Sequence, residues 1–139
     1  MNIIICIDER NGMLFNHRRQ SRDKAVIEKI YEITKGKNLW IREFSKALFP
    51  EKLEETETNL FLDDEMLVKA GVDDYCFVED MELLPYINNI QKLYLFKWNR
   101  IYPQDFSLDL DVEQMFKRIY TEEFTGNSHD KVTLEVWKR

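Results

Sequence analysis

A chain of 139 residues, 44% hydrophobic and 33% charged, has the length and balance to bury one core without disulfide or metal staples, which excludes the disordered and fibrous classes. No apolar run approaches the ~18 residues a membrane crossing needs, so no membrane partner is expected. The net charge of −6 is unevenly placed: residues 1–46 carry ten Lys and Arg against six acids, and the remainder carries ten against twenty. The acidic portion argues against nucleic acid as a partner, and any anion is expected to meet the N-terminal segment.

The N-terminus shows no basic region followed by a small-residue cleavage site, so no signal peptide is expected and the cytoplasm is the expected location. "NIIICID" is a continuous apolar run rich in β-branched residues, which predicts a buried strand. "SRDKAVIEKIYEITKG" predicts the clearest helix: Ser21 stands where a cap is wanted, Val26, Ile27, Ile30, Tyr31 and Ile33 form an apolar stripe, and Gly36 closes it. "KNLWI" reads as a second buried strand, and "REFSKALFP" as a short helix ending before Pro50. "EKLEETET" is an acidic loop, "NLFL" a strand, and "DDEMLVKAG" a helical turn stopped by Gly71. "DYCFV" is a strand, "DMELLPYINNI" a helix with Pro85 awkwardly inside it, and "KLYLFKW" a strand. "MFKRIYTEEF" and "KVTLEVWKR" alternate polar and apolar around "TGNSHD", a hairpin.

Alternating strands and helices predict one α/β domain over residues 1–139. Its central sheet is expected to be mainly parallel, with helices on both faces and a C-terminal antiparallel β-hairpin. Cys6 and Cys76 lie inside apolar runs and read as reduced structural thiols.

Between the first strand and the first helix lies "NGMLFNHRRQSRD". Asn16, Arg18, Arg19 and Arg22 crowd around Ser21, whose following N–H groups open a helix, a pattern suited to phosphate or carboxylate. The same arginines could instead pair with Asp8, Glu9 or Asp23 on a solvated loop. Ser128, His129 and Asp130 resemble a triad in composition. Adjacent residues of one hairpin loop cannot converge as nucleophile, base and orienter, so they read as a local loop motif. The aromatics, including Trp98 and Tyr102, are mostly core by spacing, although "KWNRIYP" interleaves them with basic residues in a way that could stack bases.

The element order and several strings resemble dihydrofolate reductase. The first strand with "NGMLFN" is similar to that family's opening strand and mobile loop, and "IEKIYEITKGKNLWI" to its first long helix and second strand. "IQKLYLFKWN" and "GNSHDKVTLEVWKR" are similar to its late strand and final hairpin. The resemblance implies a reductase-like fold in which the last hairpin loop packs beside the first mobile loop. It also shows departures. "RRQS" stands in place of a Leu-Pro-Trp segment, and the pterin-binding acid's place falls on Val26. Arg42 replaces a glycine of the phosphate motif although Ser45 remains, and Glu79 and Asp80 stand where a Gly-Gly pair would approach a pyrophosphate. A second resemblance is to short bacterial chains labelled ribonuclease Z. That label implies a His-x-His-x-Asp-His zinc motif, which a chain with only His17 and His129 does not offer.

The expected function is therefore a non-catalytic binding or regulatory protein on a degenerate reductase fold, a pseudoenzyme. No cofactor, no metal ligand and no catalytic residue is assigned. The expected partner is a small anionic or phosphate-bearing ligand, held by Asn16, Arg18, Arg19, Ser21, Arg22, Ser128 and His129, with Arg18 or Arg19 within reach of His129. An enzyme acting on a nucleotide-like or phosphorylated substrate in a reassigned cleft ranks second, and an RNA-binding or processing protein third.

Overall fold

The computed structural model describes residues 1–49 and 57–139. The acidic loop expected at 51–58 lies mostly outside the described residues; Glu57 and Thr58 lead into a strand.

In chain order the strands are β1 (Asn2–Ile7), β2 (Gly12–Phe15), β3 (Arg18–Arg19), β4 (Asn38–Ile41), β5 (Asn59–Leu62), β6 (Tyr75–Phe77), β7 (Lys92–Lys97), β8 (Phe106–Ser107), β9 (Lys117–Phe124) and β10 (Val132–Lys138). The helices are α1 (Lys24–Ile33), α2 (Met66–Lys69) and α3 (Val112–Met115), with 3₁₀ segments at Glu43–Leu48 and Leu84–Asn89. Seven strands make one sheet in the order β5-β4-β6-β1-β7-β10-β9, and three make a small second sheet, β3-β2-β8.

β1 occupies the middle of the large sheet, between β6 and β7. Its residues alternate between two cores: Ile3, Ile5 and Ile7 enter one, and Ile4 enters the other. A strand covered on both faces needs no polar alternation, which is why its sequence reads as an unbroken apolar run.

The expectation of a mainly parallel sheet requires correction, because the sheet is mixed. β4, β5, β6, β1 and β7 pair in parallel, but β10 runs antiparallel to β7 and β9 antiparallel to β10. The last hairpin is thus part of the main sheet, with β10 inserted between β7 and β9.

Helices do lie on both faces, but among the described residues they are few, and all but α1 are a single turn. On one face α1 lays Val26, Ile30 and Tyr31 over Ile4, Phe77 and Phe96. Each such burial contributes roughly 1.5–3 kcal/mol. On the other face the cover is the one-turn α2, the loop residues Leu83, Ile90, Leu108 and Leu110, and Met13 and Leu14 of β2. Local chemistry keeps these pieces short. The Asp74 carboxylate accepts from the N–H of Gly71 at 2.8 Å just after α2. Pro85 sits at the start of its 3₁₀ segment, where a missing N–H costs nothing, rather than inside a helix. Helix α1 ends at the cap Thr34, and Gly36, at φ +72°, turns the chain just beyond it, where the Lys37 N–H donates to the Thr34 carbonyl.

Candidate functional site

The stretch read as an arginine-rich loop is in part a β-hairpin. β2 and β3 pair antiparallel across the two-residue turn Asn16-His17, whose φ angles of 50° and 60° are those a tight primed turn demands. The preceding turn is held by Asp8, buried at the end of β1. Its Oδ1 accepts the N–H groups of Arg10 and Gly12 at 2.8 Å each, and its Oδ2 accepts from Gln20 Nε2 at 3.0 Å and from the N–H of Tyr102 at 3.2 Å. Burial would raise the Asp8 pKa, but these donors outweigh it and hold the group below the ordinary carboxylate value.

Helix α1 is capped by Asp23, not by Ser21 as expected. Asp23 is extended at φ −151°, ψ 129°, and its side chain accepts from the N–H of Ala25. That carboxylate is also the anchor for the last hairpin loop. Oδ1 accepts the N–H of Asn127 at 2.7 Å, Oδ2 accepts the N–H of Ser128 at 2.8 Å, and His129 Nδ1 lies 2.8 Å from Oδ2. The Asp23 and His129 side chains are 0% and 2% exposed, so the pair is shielded from water. Burial pushes the Asp23 pKa up, but the His129 ring and the N–H groups of Asn127, Ser128 and Ala25 outweigh it and hold the group far below the carboxylate range.

The ionised carboxylate only accepts, which assigns a proton to Nδ1 of His129; in the neutral ring Nε2 is then the acceptor. Nε2 faces two hydroxyls, Ser21 Oγ at 2.9 Å and Tyr102 Oη at 3.2 Å. The imidazole stacks on Trp98 with ring centroids 4.6 Å apart and planes 23° apart. Gly126 permits the close approach: a Cβ there would stand 2.5 Å from Asp23 Oδ2 and 2.9 Å from the His129 carbonyl oxygen.

The expected site residues therefore divide. Ser21, Ser128 and His129 come together, with Ser128 Oγ 3.2 Å from both the Arg22 carbonyl oxygen and Asp23 Oδ2. Arg19 is engaged elsewhere. Its Nε and Nη2 bind Glu79 Oε2 and Oε1 at 2.9 and 3.0 Å, Nη2 also donates to the Phe44 carbonyl at 2.9 Å, and the guanidinium lies over the Phe44 ring. Ser45 Oγ completes that cluster on Glu79 Oε1 at 2.7 Å, and Arg42 Nη1 binds Asp80 Oδ2 at 2.6 Å. Among the described residues neither Arg18 nor Arg19 bonds to His129. Arg18 and Arg22 are exposed, with no side-chain hydrogen bond or ion pair to any described residue. The N–H of Asn16 donates to Asp105 Oδ2 at 3.1 Å.

A cavity of about 460 Å³ opens beside this junction, lined by Phe15, Asn16, Arg18, Arg19, Gln20, Tyr102 and Pro103. Among the described residues no group of three or more His, Cys, Asp or Glu side chains is placed to hold a metal ion, and no helix is long and apolar enough to cross a membrane. Neither cysteine is in a disulfide; burial pushes the Cys76 thiol up to about 12, and burial with the nearby Glu79 and Asp23 charges raises Cys6.

Sequence reasoning missed three members of this arrangement. Asp23 was visible only as a partner for an arginine, although an Asp immediately before a helix is itself a capping signal. Trp98 and Tyr102 were read with the core aromatics, and nothing local marks the histidine 27 residues after Tyr102 as their partner.

No family model matches this sequence, and no curated protein matches it. Among solved structures the fold is similar to that of a dihydrofolate reductase from Enterococcus faecalis complexed with NADP(H) and RAB-propyl, with a TM-score of 0.65 at 11% identity. The likeness covers 99% of this chain and 95% of that one.

Proposed function

We propose that this protein binds a small anionic ligand in the cavity beside the β2–β3 hairpin and that it has given up nicotinamide-dependent reduction. The observation carrying this reading is the Arg18 guanidinium, exposed, unpaired among the described residues, and part of the cavity wall. Phe15 and Tyr102 offer apolar and aromatic area on the same wall, and Asn16 and Gln20 offer neutral hydrogen bonds. A planar carboxylate or a phosphate ester fits that chemistry, since the guanidinium fork matches either.

Loss of reductase chemistry is supported by what fills the positions where the resemblance calls for glycines. Glu79 is locked to Arg19 and Ser45, and Asp80 to Arg42. A pyrophosphate placed there would meet two carboxylates and would have to break two ion pairs.

Calorimetric titration with inorganic phosphate, pyrophosphate, a nucleoside monophosphate and an aromatic carboxylate tests the reading. Saturable binding of at least one of these is expected, weakened about tenfold in Arg18→Ala by loss of a charge-assisted hydrogen bond. Binding unchanged in Arg18→Ala would place the ligand elsewhere. Tight, saturable binding of NADPH would overturn the second part of the proposal.

A further inference from the structure

We propose that Ser21, His129 and Asp23 form a nucleophile, a general base and its orienting carboxylate, and that the protein cleaves small carboxylic esters at Ser21. The order along the chain is Ser-Asp-His, and the roles follow from atoms rather than position. Ser21 Oγ lies 2.9 Å from Nε2 of His129, and the opposite ring nitrogen lies 2.8 Å from Asp23 Oδ2. These distances are those at which a base takes a hydroxyl proton while a buried carboxylate fixes its tautomer.

The orienting half is rigid. Asp23 is held by three backbone N–H groups from two elements, and the imidazole is flanked by Trp98. A mere fastening of the hairpin loop to α1 would need only the Asp23 contacts. It gives no reason for a second, partly exposed hydroxyl on the far nitrogen of the ring. Ser21 is not itself a lining residue of the cavity, but it follows Gln20 in the chain and shares Nε2 with Tyr102, and both of those residues line it, so the nucleophile lies next to the cavity. The N–H groups of Ser21 and Arg22 donate to no described residue, and they supply the oxyanion donors; the amide following the nucleophile has that role in other acyl-transfer sites.

In the step, Ser21 Oγ bonds to the ester carbonyl carbon as its proton passes to His129 Nε2. The carbon–oxygen bond to the alcohol then breaks, and His129 returns the proton to the departing alkoxide. Water attacks the acyl group on Ser21 with the same base, giving the carboxylic acid and free Ser21. The inference rests on the cavity described above only for where the acyl portion sits; the bond changes need the three side chains alone.

The intact protein treated with a fluorophosphonate is expected to gain one phosphonyl group on the peptide containing Ser21, found by mass spectrometry. Cleavage of p-nitrophenyl acetate is expected above the buffer rate and about 10²-fold lower in Ser21→Ala, the scale of losing one catalytic group. Ser21→Ala leaves the Asp23–His129 contacts in place, so its melting temperature should match that of the parent. His129→Gln should lose labelling as well. An adduct at any residue other than Ser21, no adduct at all, or ester cleavage that survives Ser21→Ala overturns the inference. Because p-nitrophenyl acetate is neutral, its cleavage does not depend on Arg18. Failure of anion binding and failure of this chemistry are therefore separate results.

Discussion

Asp23 ties three parts of this molecule together, since it caps α1, anchors residues 127 and 128, and orients His129. Asp23→Asn puts an amide with only one acceptor oxygen where the N–H groups of Ala25, Asn127 and Ser128 and the His129 ring all seek an acceptor in a site closed to water, and a loss of about 3 kcal/mol in unfolding free energy is expected, measured by urea denaturation. The pH dependence follows from the depressed pKa. Asp23 binds its proton more weakly folded than unfolded, so its stabilisation is complete above the unfolded carboxylate value of about 4 and is lost as pH falls below it. Asp8 acts in the same sense. Thermal melts should therefore show a falling limb on the acid side of about pH 4, and that limb should be shallower in Asp23→Asn. Gly126→Ala attacks the same point from the other side, because its Cβ would collide with both Asp23 and the His129 carbonyl. A cost of about 2 kcal/mol is expected, as for overpacking a rigid contact.

At the scale of elements, the large features were legible and the small ones were not. β1, α1, β4 and β7 each write their own period and length, and the sequence reading placed all four. The small β3-β2-β8 sheet was missed because strands of two to four residues carry too few positions for a period to show. The turn inside it had a signal of a kind, since Asn tolerates positive φ, but Asn-His is a poorer turn pair than Asn-Gly. His17 at φ 60° bears a steric cost that glycine would not. His17→Gly is accordingly expected to raise the melting temperature, by up to about 1 kcal/mol in stability; a fall would mean that the His17 side chain has a structural role.

For the whole molecule, what sequence could not show is which distant groups meet. Four charges that looked like separate problems, Arg19 in the arginine-rich stretch, Arg42 in place of a glycine, and the misplaced carboxylates Glu79 and Asp80, turn out to solve each other, as Arg19 with Glu79 and Arg42 with Asp80. Their separations along the chain are 60 and 38 residues, beyond any local pattern. Likewise His129 could not be assigned a carboxylate from its neighbours, because its partner lies 106 residues earlier. Arg19→Ala should cost about 3 kcal/mol by stranding the buried Glu79, whereas Arg19→Ala with Glu79→Gln should recover most of it. Additive losses in that double variant, read from chemical denaturation, would show that the pair is not coupled.

The insertion of β10 between β7 and β9 bears on how the protein comes into being. A ribosome delivers β1, α1 and β7 long before β10, and until β10 arrives β9 has no strand to pair with. The same later segment brings His129, so the capping carboxylate of α1 has only the N–H of Ala25 to accept until a segment 106 residues further on is made. Assembly of the junction is therefore among the final events of folding, paced by closure of a very long loop rather than by local structure. Pulse-labelled hydrogen exchange during refolding should find the amides of Asn127 and Ser128 becoming protected together with those of β10, and later than those of α1 and β1.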